Sequence, residues 1–97
     1  MKRLYEVLVP CQTNDGVPAN NHDTLVAWIR GLCGGVTVCP RVDGHWVGEG
    51  GKLYVEQMLP VRVVTTQEQA VRIATVVRDT FRQECVFLAV IGDVTFV

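Results

Sequence analysis

A chain of 97 residues with 48% apolar side chains, 20% charged ones and a net charge of −1 can build one modest hydrophobic core and is too apolar to be disordered. That charge lacks the basic excess of a protein that tracks a phosphate backbone, so no nucleic-acid partner is expected. No apolar run approaches the roughly 20 residues that cross a bilayer, and Glu6 interrupts the stretch after Met1-Lys2-Arg3 where a secretory signal would continue; the expectation is a single cytoplasmic domain over residues 1–97 with no membrane partner.

Arg3 to Val9 reads as a first strand, with Tyr5, Val7 and Val9 on one face and Leu4, Glu6 and Leu8 on the other. Pro10 ends it, having no N–H for a ladder. Gln12 to Ala19 reads as a loop with an Asp15-Gly16 turn. Asn20 or Asn21 then caps a helix through its carboxamide oxygen, and Asp23 suits the positive end of the helix dipole. Leu25, Ile29 and Leu32 form its apolar stripe, widened by Val26 and Cys33, and Gly34-Gly35 stops it. His22 falls in the first, exposed turn.

Val36 to Cys39 resumes as strand, and Asp43-Gly44 signals a tight turn. The segment His45 to Gly51 is the least regular in the chain. Lys52 to Met58 alternates again, with Leu53 and Val55 on one face and Tyr54, Glu56 and Met58 on the other. Pro60 is expected to bend or interrupt this strand before Val61 to Val64 continue it. Thr65-Thr66-Gln67-Glu68 fits a capping box in which Thr65 bonds forward and Glu68 reaches back. The helix behind it carries Ala70, Ile73, Ala74, Val77 and Phe81 on one face.

Cys85 to Ile91 is seven apolar residues in a row, the pattern of a strand buried on both faces. Gly92-Asp93 then turns the chain into a short last strand, Val94 to Val97. The order is βαββαβ with an extra short C-terminal strand, which predicts an α+β fold, a ferredoxin-like two-layer sandwich. Two helices cover one face of such a sheet. The other apolar face of Cys85–Ile91 must meet the chain's own loops or a second subunit. Val86, Phe87, Leu88 and Val90 are therefore candidate interface residues, and a homodimer or another protein partner is the expectation.

Several of these motifs recur together. Gly34-Gly35-Val36-Thr37-Val38 is a double-glycine helix end followed by a threonine-containing strand. Gly44-His45-Trp46, then Glu56, then Gln83-Glu84-Cys85-Val86 follow it. In this combination, over the last two-thirds of the chain, the sequence resembles a family of small uncharacterised ferredoxin-like proteins of bacteria, phages and mobile elements. The resemblance implies the same fold and a phage or mobile-element origin, and it implies no activity.

Four residues stand out as candidate ligand-binding positions: Trp46, Glu56, Gln83 and Glu84. Read functionally, Trp46 walls a pocket near the glycine-rich segment and the carboxylates anchor a ligand. Read structurally, Trp46 pins an irregular loop and Gln83-Glu84 satisfies a helix end that lacks glycine. Cys11, Cys33, Cys39 and Cys85 have neither metal-knuckle nor redox spacing and read as free thiols. Cys39, Asp43 and His45 bracket a turn but lack a second ligand pair, so no metal is assigned. Glu49-Gly50-Gly51-Lys52 lacks the strand–loop–helix setting of a phosphate loop, and no cofactor is implied. The leading expectation is a small non-enzymatic interaction module, acting as a homodimer or on a host protein through its apolar sheet face. The alternative is a small-ligand-binding protein or enzyme with its pocket near the Trp46 loop.

Overall fold

In a computed structural model that describes residues 1–13 and 21–97, the alternating segments pair into one antiparallel sheet, with two helices packed against one face. The strands are β1 (Arg3–Pro10), β2 (Thr37–Val38), β3 (Val42–Val47), β4 (Leu53–Thr65) and β5 (Leu88–Gly92); the helices are α1 (His22–Cys33) and α2 (Gln67–Thr80). The order across the sheet is β2-β4-β1-β5, with β3 pairing the other end of β4 beyond β2. Counting β2 and β3 as one broken strand, this is the ferredoxin-like arrangement. The Asp15-Gly16 turn, most of its loop and the Asn20 cap lie outside the described residues.

The core follows from the two periodicities. Tyr5, Val7 and Val9 of β1 and Val61 and Val63 of β4 meet Leu25 and Ile29 of α1 and Ala70, Ile73, Val77 and Phe81 at α2, all buried. Each large side chain so buried contributes roughly 1.5–3 kcal/mol, which makes this layer the source of stability. No helix among the described residues is long and apolar enough to cross a membrane.

Several local expectations are corrected. Asp43-Gly44 is not a turn; both residues lie in β3, opposite Gln57 and Glu56. The hairpin instead closes at Gly48–Lys52, where the Gly48 N–H donates to the Lys52 carbonyl at 2.8 Å around a short 3-10 turn, Glu49–Gly51. Gly50 and Gly51 have φ of 75° and 80°, which glycine alone adopts cheaply. β4 runs straight through Pro60. The Pro60 carbonyl accepts from the Cys39 N–H at 2.9 Å, so its missing N–H would have faced the same side, where Pro40 breaks the neighbouring strand. The bond it lacks falls at the end of the short β2 pairing, and the ladder to β1, toward which Pro60 makes no bond, loses nothing.

Capping is shifted by one residue. Thr66, not Thr65, is the N-cap of α2, and its hydroxyl accepts from the Gln69 N–H at 3.3 Å. Thr65 is buried at the end of β4 and accepts from the Cys33 thiol. Asn21 occupies the N-cap of α1, but its side chain makes no capping bond. His22 is not exposed: its Nε2 bonds the Pro10 carbonyl at 2.9 Å and its ring stacks on Phe81.

The apolar run near the C-terminus is also shorter and more open than its composition suggests. Only Leu88–Gly92 is strand, at the sheet edge beside β1. Val86 and Leu88 pack against the core, whereas Phe87, Val90 and Ile91 are half exposed. Val94–Val97 forms no strand; after Gly92 the chain is tied back by the Arg3–Asp93 ion pair at 3.1 Å.

Candidate functional site

β1 ends opposite Met58, so the first residues of β4 have only β3 beside them. This two-stranded arm makes the molecule long, 46 Å against 25 and 23 Å in the other directions. Register assigns its faces. Trp46 lies opposite Tyr54 and Gly44 opposite Glu56, and directly opposed residues share a face. Trp46, Tyr54 and Glu56 therefore project together.

Glycines let these side chains close up. A Cβ on Gly44 would lie 3.0 Å from the Trp46 ring and 3.4 Å from Met58 Cγ, so the indole folds over the bare backbone facing Glu56. A Cβ on Gly48 would come within 2.7 Å of Tyr54 Cε2, so the end of β3 lies directly on the phenol ring. On that ring the Lys52 ammonium sits 5.0 Å from the centroid, within cation–π range.

The opposite wall comes from the exit of α2. Without a glycine to end the helix, Arg82 takes the left-handed conformation itself, with φ of 53°. The Gln83 N–H then bonds back to the Arg78 carbonyl at 2.9 Å, closing a Schellman-type end. The Gln83 side-chain amide donates to the Phe81 carbonyl at 3.1 Å. This turn carries Gln83, Glu84 and Cys85 across to the arm.

Between the two walls is a cleft of about 550 Å³, bordered by Trp46, Tyr54, Glu56, Lys52, Gln83 and Glu84, with Gly48, Glu49 and Cys85 at its rim. Its size suits a drug-sized or nucleoside-sized ligand. The four candidate positions Trp46, Glu56, Gln83 and Glu84 all border it, although they come from two distant parts of the chain. Gln83 also performs the helix-ending role of the structural reading. Tyr54, Lys52 and Gly48 escaped notice; the strand alternation that put Tyr54 on the face of Glu56 was the available signal. His45 lies exposed in β3, and the described residues contain no cluster of three metal-ligating side chains.

Two properties define what this cleft can do. Three carboxylates, Glu49, Glu56 and Glu84, face one ammonium, Lys52, so the lining is net negative. Glu56 Oε2 is sealed from solvent and has no hydrogen-bond partner. A buried oxygen of this kind is costly and calls for a donor or a cation.

No protein-family model and no curated protein sequence matches the chain. Its fold does match solved structures. A phage SAM lyase in complex with S-methyl-5′-thioadenosine superposes with a TM-score of 0.70 at 16% sequence identity, over 98% of this chain and 85% of that one. A phage SAM lyase in its apo state gives a TM-score of 0.59 at 17% identity, over 98% and 86%. At these identities the likeness establishes the fold. It also overturns the leading expectation of a non-enzymatic interaction module, because these two structures, which share the architecture along nearly the whole chain, are those of an enzyme. The alternative, a ligand or enzyme pocket near Trp46, is the better supported.

Proposed function

We propose that this protein is a small enzyme that binds S-adenosylmethionine in the Trp46–Glu56 cleft and cleaves it to release S-methyl-5′-thioadenosine. One observation carries the reading: a partnerless buried carboxylate oxygen, Glu56 Oε2, in the wall of a net-negative cleft within the fold of a phage SAM lyase.

The chemistry suits such a modest site. The sulfur of S-adenosylmethionine carries a positive charge, so each of its carbons is already bonded to a good leaving group. The arm's own carboxylate oxygen displaces the sulfur at the carbon that bears it: a C–O bond forms and closes a lactone, the C–S bond breaks, the bonding pair passes to sulfur and a neutral thioether leaves. No metal or redox group is needed, and the leaving sulfur needs no proton. The protein's tasks are to bind the cation, exclude water and hold the arm in a reactive geometry. Trp46 and Tyr54 supply flat apolar walls, Gln83 and Glu84 close the cleft from the α2 side, and Glu56 supplies the negative charge beside the sulfonium.

The test is direct. Purified protein incubated with S-adenosylmethionine should generate S-methyl-5′-thioadenosine by mass-resolved chromatography, and Glu56→Gln should lower the rate by about 100-fold or more, the scale of losing one well-placed electrostatic group. Absence of both product and measurable binding by calorimetry would overturn the reading.

A further inference from the structure

We infer that the cleft selects its ligand by positive charge: it is an onium site, in which Glu56 with the Trp46 and Tyr54 rings prefers a sulfonium or ammonium over the uncharged thioether of the same shape. The inference rests on the proposed function only for the adenosyl part of the ligand. The charge preference stands on separate observations.

The first is the sealed, partnerless Glu56 Oε2. The second is the excess of carboxylates over ammonium in the lining, which raises the local concentration of cations. The third is that the Tyr54 face already holds a cation, the Lys52 ammonium at 5.0 Å. The ring is accordingly turned so that a cation reaches it, and a ligand's onium group would take the place of the Lys52 ammonium there. The cross-strand register puts the Trp46 ring beside it, and Gly44 leaves that ring free to lie over the strand opposite Glu56. An aromatic pair backed by a carboxylate is the arrangement that binds quaternary ammonium and sulfonium groups.

The consequence for turnover is specific. Substrate enters as a sulfonium, and the adenosyl product leaves as a neutral thioether. A site that reads charge holds the first and lets go of the second, so cleavage itself weakens product binding.

The experiment compares ligands that differ in charge and little else. By calorimetry, S-adenosylmethionine and sinefungin, which carries an ammonium in place of the sulfonium, should bind about tenfold or more tighter than S-adenosylhomocysteine, the scale of a partly desolvated cation–π contact. In Glu56→Gln that ratio should shrink to about threefold or less. Equal affinity for the charged and neutral ligands in the native protein overturns the inference. If no adenosyl compound binds, tetramethylammonium and tert-butanol serve as charged and neutral probes, read on the Trp46 indole N–H signal and assigned with Trp46→Phe. A shift with tetramethylammonium alone upholds charge selection while the S-adenosylmethionine reading falls. Equal shifts, or none, overturn the inference as well.

Discussion

The two ends of β4 follow one alternation and meet opposite fates. From Met58 to Thr65 the strand runs beside β1 and beneath the helices, and Val61 and Val63 are 0% and 2% exposed. From Leu53 to Glu56 its pairing is with β3, and Leu53 and Val55 are 58% and 53% exposed. Alternation therefore specifies which residues share a face; it does not specify whether anything covers that face. The covered end carries the stability. The uncovered end, relieved of that role, carries Trp46, Tyr54 and an unpaired carboxylate that a core could not tolerate.

The strongest way to break this contrast is to put the same charge on both ends. Val61→Asp buries a carboxylate with no partner and should cost more than about 4 kcal/mol, enough to leave a domain of this size largely unfolded. Val55→Asp should shift stability by about 0.5 kcal/mol or less, since it stays in water. Thermal melts followed by circular dichroism distinguish the two. A folded Val61→Asp, or an unfolded Val55→Asp, would mean that the cover is not where the strand pairing puts it.

The next effect separates stability from function within one residue. Glu56→Gln should reduce product formation about 100-fold while leaving stability unchanged or raising it by about 1 kcal/mol, because it removes a carboxylate that has one oxygen buried without a partner. Melting and turnover are measured on one preparation. Loss of both together would make Glu56 a structural residue and remove the main support for the cleft.

How much of this was legible in the sequence follows the same division. The covered end was readable: Tyr5, Val7, Val9, Ile29, Ile73 and Val77 announce the core by spacing alone, and the fold follows from their order. The arm was misread because its punctuation is ambiguous. Asp43-Gly44 has the composition of a turn, but here the glycine is spent on seating Trp46 against a neighbouring strand. The real turn uses Gly50 and Gly51. The Cys85–Ile91 run was overread for a related reason. Uniform apolarity suggested burial on both faces, yet at the sheet edge Phe87 and Ile91 stay half exposed. The four candidate site residues could be named from chemistry. Their meeting depends on Arg82 turning without a glycine, which spacing does not announce.

A smaller effect sharpens the role of the arm. Gly48 has an extended backbone, φ −85° and ψ −174°, so alanine fits its conformation and offends only by pressing on Tyr54. Gly48→Ala should weaken ligand binding about tenfold, the scale of losing one cation–π or stacking contact, at a stability cost of about 1 kcal/mol or less. Gly50→Ala is the control. Its positive φ costs about 1 kcal/mol, but nothing lies near the added methyl, so binding should hold. If both variants bind alike, the position of the Tyr54 ring is irrelevant to the ligand.

The smallest effect uses two thiols as reporters of the two environments. Cys85 is exposed at the rim of the cleft. Cys11 follows β1 and bonds through its N–H to the Gln57 carbonyl; burial pushes its thiol pKa up, against a partial opposing pull from Arg41. Alkylation requires the thiolate, so at mildly alkaline pH iodoacetamide should label Cys85 before Cys11, and raising the pH should narrow the gap. The sign for stability follows. A thiol that holds its proton longer in the folded chain contributes stability that is fully present at neutral pH and is lost as pH rises through its raised pKa. Bound ligand should slow the labelling of Cys85 and leave Cys11 untouched, because only one of the two borders the cleft. Protection of Cys11 in place of Cys85 would move the ligand off the arm and onto the covered end of the sheet, reversing the division of labour along β4.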